Sequence, residues 1–132
     1  MAGRNGTLEI LVIDDDPDFL SSMRITLEGS GYSVVTAAGG PAGIERFRER
    51  RPDLVLCDIM MERIDSGILL AREIRGMDRQ VPLYLLSDIG DLTEENIDIH
   101  DLGCTGSIQK PVSPERLEEI VQQSLHHKGG GR

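Results

Sequence analysis

The amino-acid sequence predicts an α/β fold in which helices cover both faces of a doubly wound, five-stranded parallel sheet. Three observations support this prediction. Short runs of consecutive apolar residues alternate along the chain with longer stretches in which apolar residues recur every three or four positions. The apolar runs are unbroken, which is typical of strands buried on both faces of a sheet. The length of 132 residues suits one compact domain.

Five strands and five helices can be placed in chain order. A strand is predicted at Glu9–Ile13 and a helix at Pro17–Gly29, because Asp16 suits the N-cap and Pro17 suits the first helical position. The remaining elements are predicted as a strand at Ser33–Ala37, a helix at Pro41–Arg50, a strand at Leu54–Cys57, a helix at Ser66–Arg75, a strand at Val81–Leu86, a helix at Thr93–Leu102, a strand at Thr105–Gln109 and a last helix that begins at Pro114.

Composition restricts the classes of function. The net charge of -9 makes binding to nucleic acid or to an anionic membrane by this chain a poor prospect. No apolar stretch is long enough to span a bilayer, and the start has no signal peptide, so we expect a cytoplasmic protein. Cys57 and Cys104 lie in apolar stretches and are predicted to be buried, reduced thiols. Residues 8–126 are assigned to the domain, and the polar, glycine-rich ends at 1–7 and 127–132 are expected to be flexible.

The residues that follow the predicted strands carry the chemistry. Right-handed crossovers leave few strand orders, and we adopt the flavodoxin-like order 2-1-3-4-5. In such sheets ligands bind beyond the carboxyl ends of the strands. Those ends carry two acids after the first strand, one after the third, a hydroxyl after the fourth and a lysine after the fifth: Asp14, Asp15, Asp58, Ser87 and Lys110.

Three carboxylates at one site need a partner. Two unit charges about 4 Å apart repel by roughly 4 kcal/mol at an effective dielectric constant near 20. A hard divalent cation relieves this repulsion, and Mg²⁺ prefers carboxylate, carbonyl, water and phosphate oxygens. A carboxylate can also attack phosphorus and form an acyl phosphate. The lysine and the hydroxyl can then bind the remaining phosphoryl oxygens, since positioning and charge stabilisation dominate phosphoryl transfer.

This set of strand ends resembles the receiver domain of two-component response regulators, including the chemotaxis receivers. The resemblance rests on the acidic end of the first strand, on Leu54–Asp58 with Ile59-Met60-Met61 after it, on Ser87 and on the Lys110-Pro111 pair. It extends from about Leu8 to about Leu125. Each motif is common alone, but four strand ends with the right residues in the right order form a specific pattern.

The resemblance implies a role for each residue. It implies that Asp58 accepts a phosphoryl group from a histidine kinase in a Mg²⁺-dependent reaction that the domain itself catalyses, as it does the later dephosphorylation. It implies that Asp15 and Asp58 bind Mg²⁺, that Asp14 does so largely through water, and that the backbone carbonyl of Met60 is a further ligand. Ser87 and Lys110 are implied to bind the phosphoryl group.

The resemblance also implies partners and a response. The partners are a sensor histidine kinase or a histidine phosphotransfer protein. The response is a conformational change that favours a homodimer or an effector partner at the face of the fourth predicted helix, the fifth strand and the fifth helix.

Asp53 lies at the opposite end of the third strand, after Pro52, and is predicted to have a structural role in the turn there.

Several positions depart from the family pattern. The loop Met61–Ser66 lacks the usual proline and glycine, Asp88 stands where a small residue usually follows the hydroxyl, and Ser107 replaces the aromatic residue that usually precedes the lysine by three positions. Asp88 and Ser107 are therefore candidates for modulating phosphorylation rate and output.

Two other functions remain open at this stage. The departures at Asp88 and Ser107 make a degenerate receiver, a binding module that works without phosphorylation, the main rival, although the intact acids and Lys110 argue against full degeneracy. The spacing of Asp14 and Asp16 also fits a haloacid-dehalogenase-type phosphatase, although that reading leaves Asp58 unexplained. Taken singly, each acid could be a helix cap or a turn residue and Lys110 a solvated loop residue.

Overall fold

The computed structural model describes residues 7–59, 66–87 and 103–130. Within these ranges five strands form one parallel sheet in the order β2-β1-β3-β4-β5, which confirms the predicted doubly wound, flavodoxin-like topology. The strands are β1 (Glu9–Ile13), β2 (Ser33–Ala37), β3 (Leu54–Asp58), β4 (Leu83–Ser87) and β5 (Gly106–Gln109), and the helices are α1 (Pro17–Gly29), α2 (Gly40–Glu49), α3 (Ser66–Met77) and α4 (Pro114–Gly130).

The fourth predicted helix, Thr93–Leu102, lies outside the described residues. Helix α4 therefore corresponds to the fifth predicted helix, and it continues to Gly130, beyond the end of the assigned domain at residue 126. The flexibility of the two termini stays a prediction. Strand β4 begins two residues later than predicted, because the Val81 amide donates to Asp78 Oδ1 at 3.1 Å and Pro82 has no amide to donate.

The core consists of two clusters, one on each face of the sheet. Leu11 and Ile13 of β1 point to the face covered by α2 and α3, and Ile10 and Val12 point to the face covered by α1 and α4. Successive strand residues point to opposite faces, so a strand covered on both sides must be apolar at every position. This explains the unbroken apolar runs in the sequence.

A glycine sets the distance between α2 and β1. A Cβ atom built on Gly43 would lie 2.7 Å from Ile13 Cδ1, closer than two carbon atoms can pack. Ile13 directly precedes Asp14, so this close approach positions the chain where β1 ends. The fold here depends on the absence of a side chain.

The other end of the sheet carries Asp53, as predicted. Its Oδ2 accepts the Glu9 amide at 2.8 Å, and its own amide donates to the Glu9 carbonyl at 2.7 Å. Asp53 thus joins the starts of β1 and β3. Glu9 Oε1 in turn lies 3.0 Å from Arg50 Nε, which supplies a counter-charge for a nearly buried carboxylate.

Candidate functional site

Parallel pairing brings the predicted strand-end residues to one edge of the sheet. Asp58 closes β3 and pairs with Leu86 of β4, while Ser87 closes β4 and pairs with Gln109 of β5. Lys110 follows directly, and its amide donates to the Ser87 carbonyl at 2.7 Å. On the other side, the Asp14 amide donates to the Ala37 carbonyl of β2 at 3.1 Å.

The three predicted metal ligands with described side chains lie together. Carboxylate oxygens of Asp14, Asp15 and Asp58 are within 4.8 Å of one another. Asp14 is fully buried, Asp58 is nearly so, and Asp15 is exposed. At this separation each pair of charges repels by about 3 kcal/mol at an effective dielectric constant near 20. The group is chemically suited to a hard divalent cation, which carboxylate oxygens bind well.

Asp14 is held on both of its carboxylate oxygens. Its Oδ1 accepts the Asp16 amide at 2.9 Å, and its Oδ2 accepts from the Lys110 ammonium at 2.8 Å. A buried carboxylate without partners would be strongly destabilising, and these two donors satisfy it. Asp16 itself is the N-cap of α1, because its side chain accepts the Asp18 amide at 3.0 Å, as the sequence predicts.

Lys110 reaches over the acids from the end of β5. Its Nζ is 3.6 Å from Asp58 Oδ1, and its side chain is only 14% exposed. The same ammonium lies over the ring of Phe19, 4.3 Å from the ring centroid. Phe19 was not among the predicted site residues, because helical periodicity does not reveal which ring borders a site.

The two cysteines are free and buried, as predicted. Burial, with a smaller contribution from the neighbouring Asp58 charge, strongly raises the pKa of the Cys57 thiol, which donates to the Asp58 carbonyl at 3.4 Å. Burial also raises the pKa of Cys104 to about 11. Both thiols are therefore protonated at neutral pH, and neither has the lowered pKa of a nucleophilic cysteine.

The remaining candidate residues are placed in part. Ser87 is buried at the end of β4, and Ser107 is half-buried in β5, opposite Leu85. Met60 and Asp88 lie outside the described residues, so their predicted roles stay predictions.

Comparisons with known proteins agree with this architecture. The family model of the response regulator receiver domain matches residues 10–122. The transcriptional regulatory protein ZraR of Salmonella typhimurium is 31% identical over 92% of this chain and 27% of its own length. The probable transcriptional regulator ycf27 of Guillardia theta is 33% identical over 89% of this chain and 45% of its own length. The chain thus spans less than half of each of these relatives.

Solved structures show the same fold. A receiver domain protein from Clostridium thermocellum superposes with a TM-score of 0.86 and 28% identity, covering 95% of this chain and 99% of that one. The chemotaxis protein CheY4 of Vibrio cholerae superposes with a TM-score of 0.81 and 26% identity, covering 90% and 99% of the two chains. Among the described residues, no helix is long and apolar enough to cross a membrane. The chain belongs to the receiver domain family of two-component response regulators.

Proposed function

We propose that this receiver domain accepts a phosphoryl group onto Asp58 from a phosphohistidine of a sensor histidine kinase or a histidine phosphotransfer protein, in the cytoplasm. The observation that carries the proposal is the position of Lys110 beside the acids at the strand ends. Its ammonium lies 3.6 Å from Asp58 Oδ1, and Asp58 belongs to a cluster of carboxylates. A nearly buried carboxylate beside a cation is shielded from bulk water and oriented for attack.

The proposed step is an in-line displacement at phosphorus. A carboxylate oxygen of Asp58 forms the new O–P bond while the P–N bond to histidine breaks, and the nitrogen keeps the electron pair. The ammonium of Lys110 and the hydroxyl of Ser87 then bind phosphoryl oxygens and stabilise the negative charge on them. The domain would catalyse this transfer by position and charge. It would likewise catalyse the later hydrolysis, in which a water oxygen bonds to phosphorus, the bond from Asp58 to phosphorus breaks and inorganic phosphate leaves.

The acidic residues suit Mg²⁺ as the cofactor of this reaction. Asp15 and Asp58 are proposed to hold it directly, together with the Met60 carbonyl, and Asp14 to hold it through water. The two hydrogen bonds that Asp14 already accepts support the indirect role, because both of its oxygens have protein donors. When bound, Mg²⁺ would supply positive charge that offsets the repulsion between the acids and an incoming phosphoryl group.

The output is proposed to be a conformational change at the β5 side of the sheet, where a homodimer or an effector partner would bind. Ser107 lies there and offers no large ring to move, so we propose that it weakens the switch. Asp88 is proposed to slow phosphorylation by repelling anionic donors. No direct contact of this chain with nucleic acid or membrane is part of the proposal.

Intact-mass analysis after incubation with acetyl phosphate and Mg²⁺ tests the acceptor. The wild type should gain the mass of one phosphoryl group, and Asp58→Asn should gain none. Asp53→Asn is a matched control, because Asp53 is a buried aspartate that directly precedes the same strand, at the end opposite to Asp58. It should label at the wild-type rate. Labelling of Asp58→Asn as fast as wild type would contradict the assignment.

The two alternative functions are not favoured. The phosphatase reading requires Asp14 as the nucleophile, but Asp14 is 0% exposed and both of its oxygens accept hydrogen bonds. The degenerate-receiver reading is at odds with a site that keeps its acids and its lysine in contact.

A further inference from the structure

The ammonium of Lys110 is held by an aromatic ring as well as by carboxylates. Its Nζ lies 4.3 Å from the Phe19 ring centroid, 2.8 Å from Asp14 Oδ2 and 3.6 Å from Asp58 Oδ1. At this distance the negative face of the ring attracts a cation, and the attraction strengthens as water is excluded. The Lys110 side chain is only 14% exposed, so the contact is largely shielded from water.

Local structure fixes the ring in this position. Phe19 lies in the first turn of α1, which begins at Pro17 after the N-cap Asp16. The ring is partly buried and packs against the core cluster on the α1 and α4 face of the sheet. It cannot swing away from Lys110 without exposing apolar surface, so it forms a rigid border to the site.

We propose that Phe19 is a positioning residue for Lys110, and this role rests on the proposed function of Asp58. Lysine has a flexible four-carbon side chain that must be held in one conformation to meet phosphoryl oxygens at Asp58. A further carboxylate would hold the ammonium but would also repel the phosphoryl anion. A neutral ring attracts the ammonium without adding negative charge, so it orients Lys110 at no electrostatic cost to the incoming group.

A fluorinated series at position 19 separates this role from packing. Phenylalanine with one, two or three ring fluorines keeps its shape but progressively loses its attraction for cations. The rate of labelling by acetyl phosphate at saturating Mg²⁺ should fall stepwise along the series, and Phe19→Leu should label about threefold to tenfold more slowly than wild type. Phe19→Tyr keeps the face of the ring and should be labelled at about the wild-type rate. In the unlabelled protein, the ring-current shift of the Lys110 ε-methylene protons should vanish in Phe19→Leu and persist in Phe19→Tyr.

Tyr32→Leu is the matched control. Tyr32 is a second partly buried aromatic residue on the same core cluster, but its hydroxyl donates to Glu118 Oε2 at 2.9 Å instead of bordering the site. This variant should lose stability without a change in labelling rate. Equal rates across the fluorinated series, with wild type labelled on Asp58, would overturn the positioning role alone. A wild type that takes no label would overturn the proposed function and the positioning role together.

Discussion

Asp14 and Asp15 are neighbours in the chain, but their surroundings give them different roles. Asp14 is fully buried and forms an ion pair with Lys110, whereas Asp15 is exposed beside the other acids. Removing one partner of a buried ion pair costs about 3–5 kcal/mol, so Asp14 and Lys110 matter for stability as well as for chemistry. Within the described ranges Asp15 forms no ion pair, which makes it the better residue for testing metal binding.

Mg²⁺ should stabilise the protein through Asp15. Ligand linkage predicts about 2.7 kcal/mol of added unfolding free energy at a hundred times the dissociation constant. Asp15→Ala should lose most of this increase, yet without Mg²⁺ it should be at least as stable as wild type, because one repulsive charge is gone. Thermal unfolding with and without Mg²⁺ measures both quantities.

Asp18→Ala provides the control for this experiment. Asp18 is an exposed acid in the first turn of α1, and its backbone amide donates to the N-cap Asp16. It should keep the full Mg²⁺ effect. Equal stabilisation of wild type and Asp15→Ala would contradict the assignment of Asp15 as a ligand.

Cys104 should make stability fall at alkaline pH. Burial raises the pKa of its thiol from 9.0 to about 11, against a smaller lowering by the Arg75 charge. Because the folded pKa exceeds the unfolded one, this stabilising contribution is complete below about pH 9 and is lost as pH rises towards 11. Between these values the unfolding free energy should fall by up to about 1.4 kcal/mol per pH unit more steeply than in Cys104→Ala. Parallel pH profiles of the two proteins, measured by urea unfolding, would refute this.

At the scale of elements, the contact of α2 with β1 depends on Gly43. Gly43→Ala should lower the unfolding free energy by about 1–3 kcal/mol, since the new methyl group would overlap Ile13 and overpack the core. Gly40→Ala in the same helix has nothing within 4 Å of the new Cβ and should be neutral or slightly stabilising. Urea unfolding compares the two variants. Equal stabilities would mean that the helix moves away from the strand without cost.

Elements with strong local signals were predicted to the residue. The bounds of β1, α1 and β2 agree with the sequence analysis. An apolar run marks β1 clearly, and an Asp-Pro start marks α1. The start of β4 was wrong by two residues. The apolar side chain of Val81 is typical of a strand residue. The structure shows that its amide donates to the Asp78 side chain instead of pairing with a neighbouring strand. A hydrogen bond from one amide to the side chain of a residue three positions earlier leaves no periodic pattern in the sequence.

At the scale of the whole molecule, the position of the site was predictable but its internal contacts were not. Parallel strands end at one edge, so residues that follow the strands must converge whatever their rotamers. Side-chain conformations decide how close the Lys110 ammonium lies to Asp14 and to Asp58, and which ring it borders. Sequence periodicity does not determine these conformations. The contacts of Lys110 therefore needed coordinates, whereas the departures at Asp88 and Ser107 were visible in the sequence.

The sheet separates two core clusters, and we expect them to unfold together. The protein has two tyrosines and no tryptophan, and both tyrosines lie on the α1 and α4 face, so tyrosine fluorescence reports one face while far-UV circular dichroism reports the whole. Ile74→Val in α3 and Ile120→Val in α4 remove the same methyl group from fully buried positions on opposite faces. Each should cost about 0.5–1.5 kcal/mol. Because both faces share every strand, each variant should shift both probes equally in urea. The contrary result would be an Ile74→Val variant whose tyrosine fluorescence keeps the wild-type urea midpoint while its circular dichroism shows two transitions. The two faces would then unfold separately.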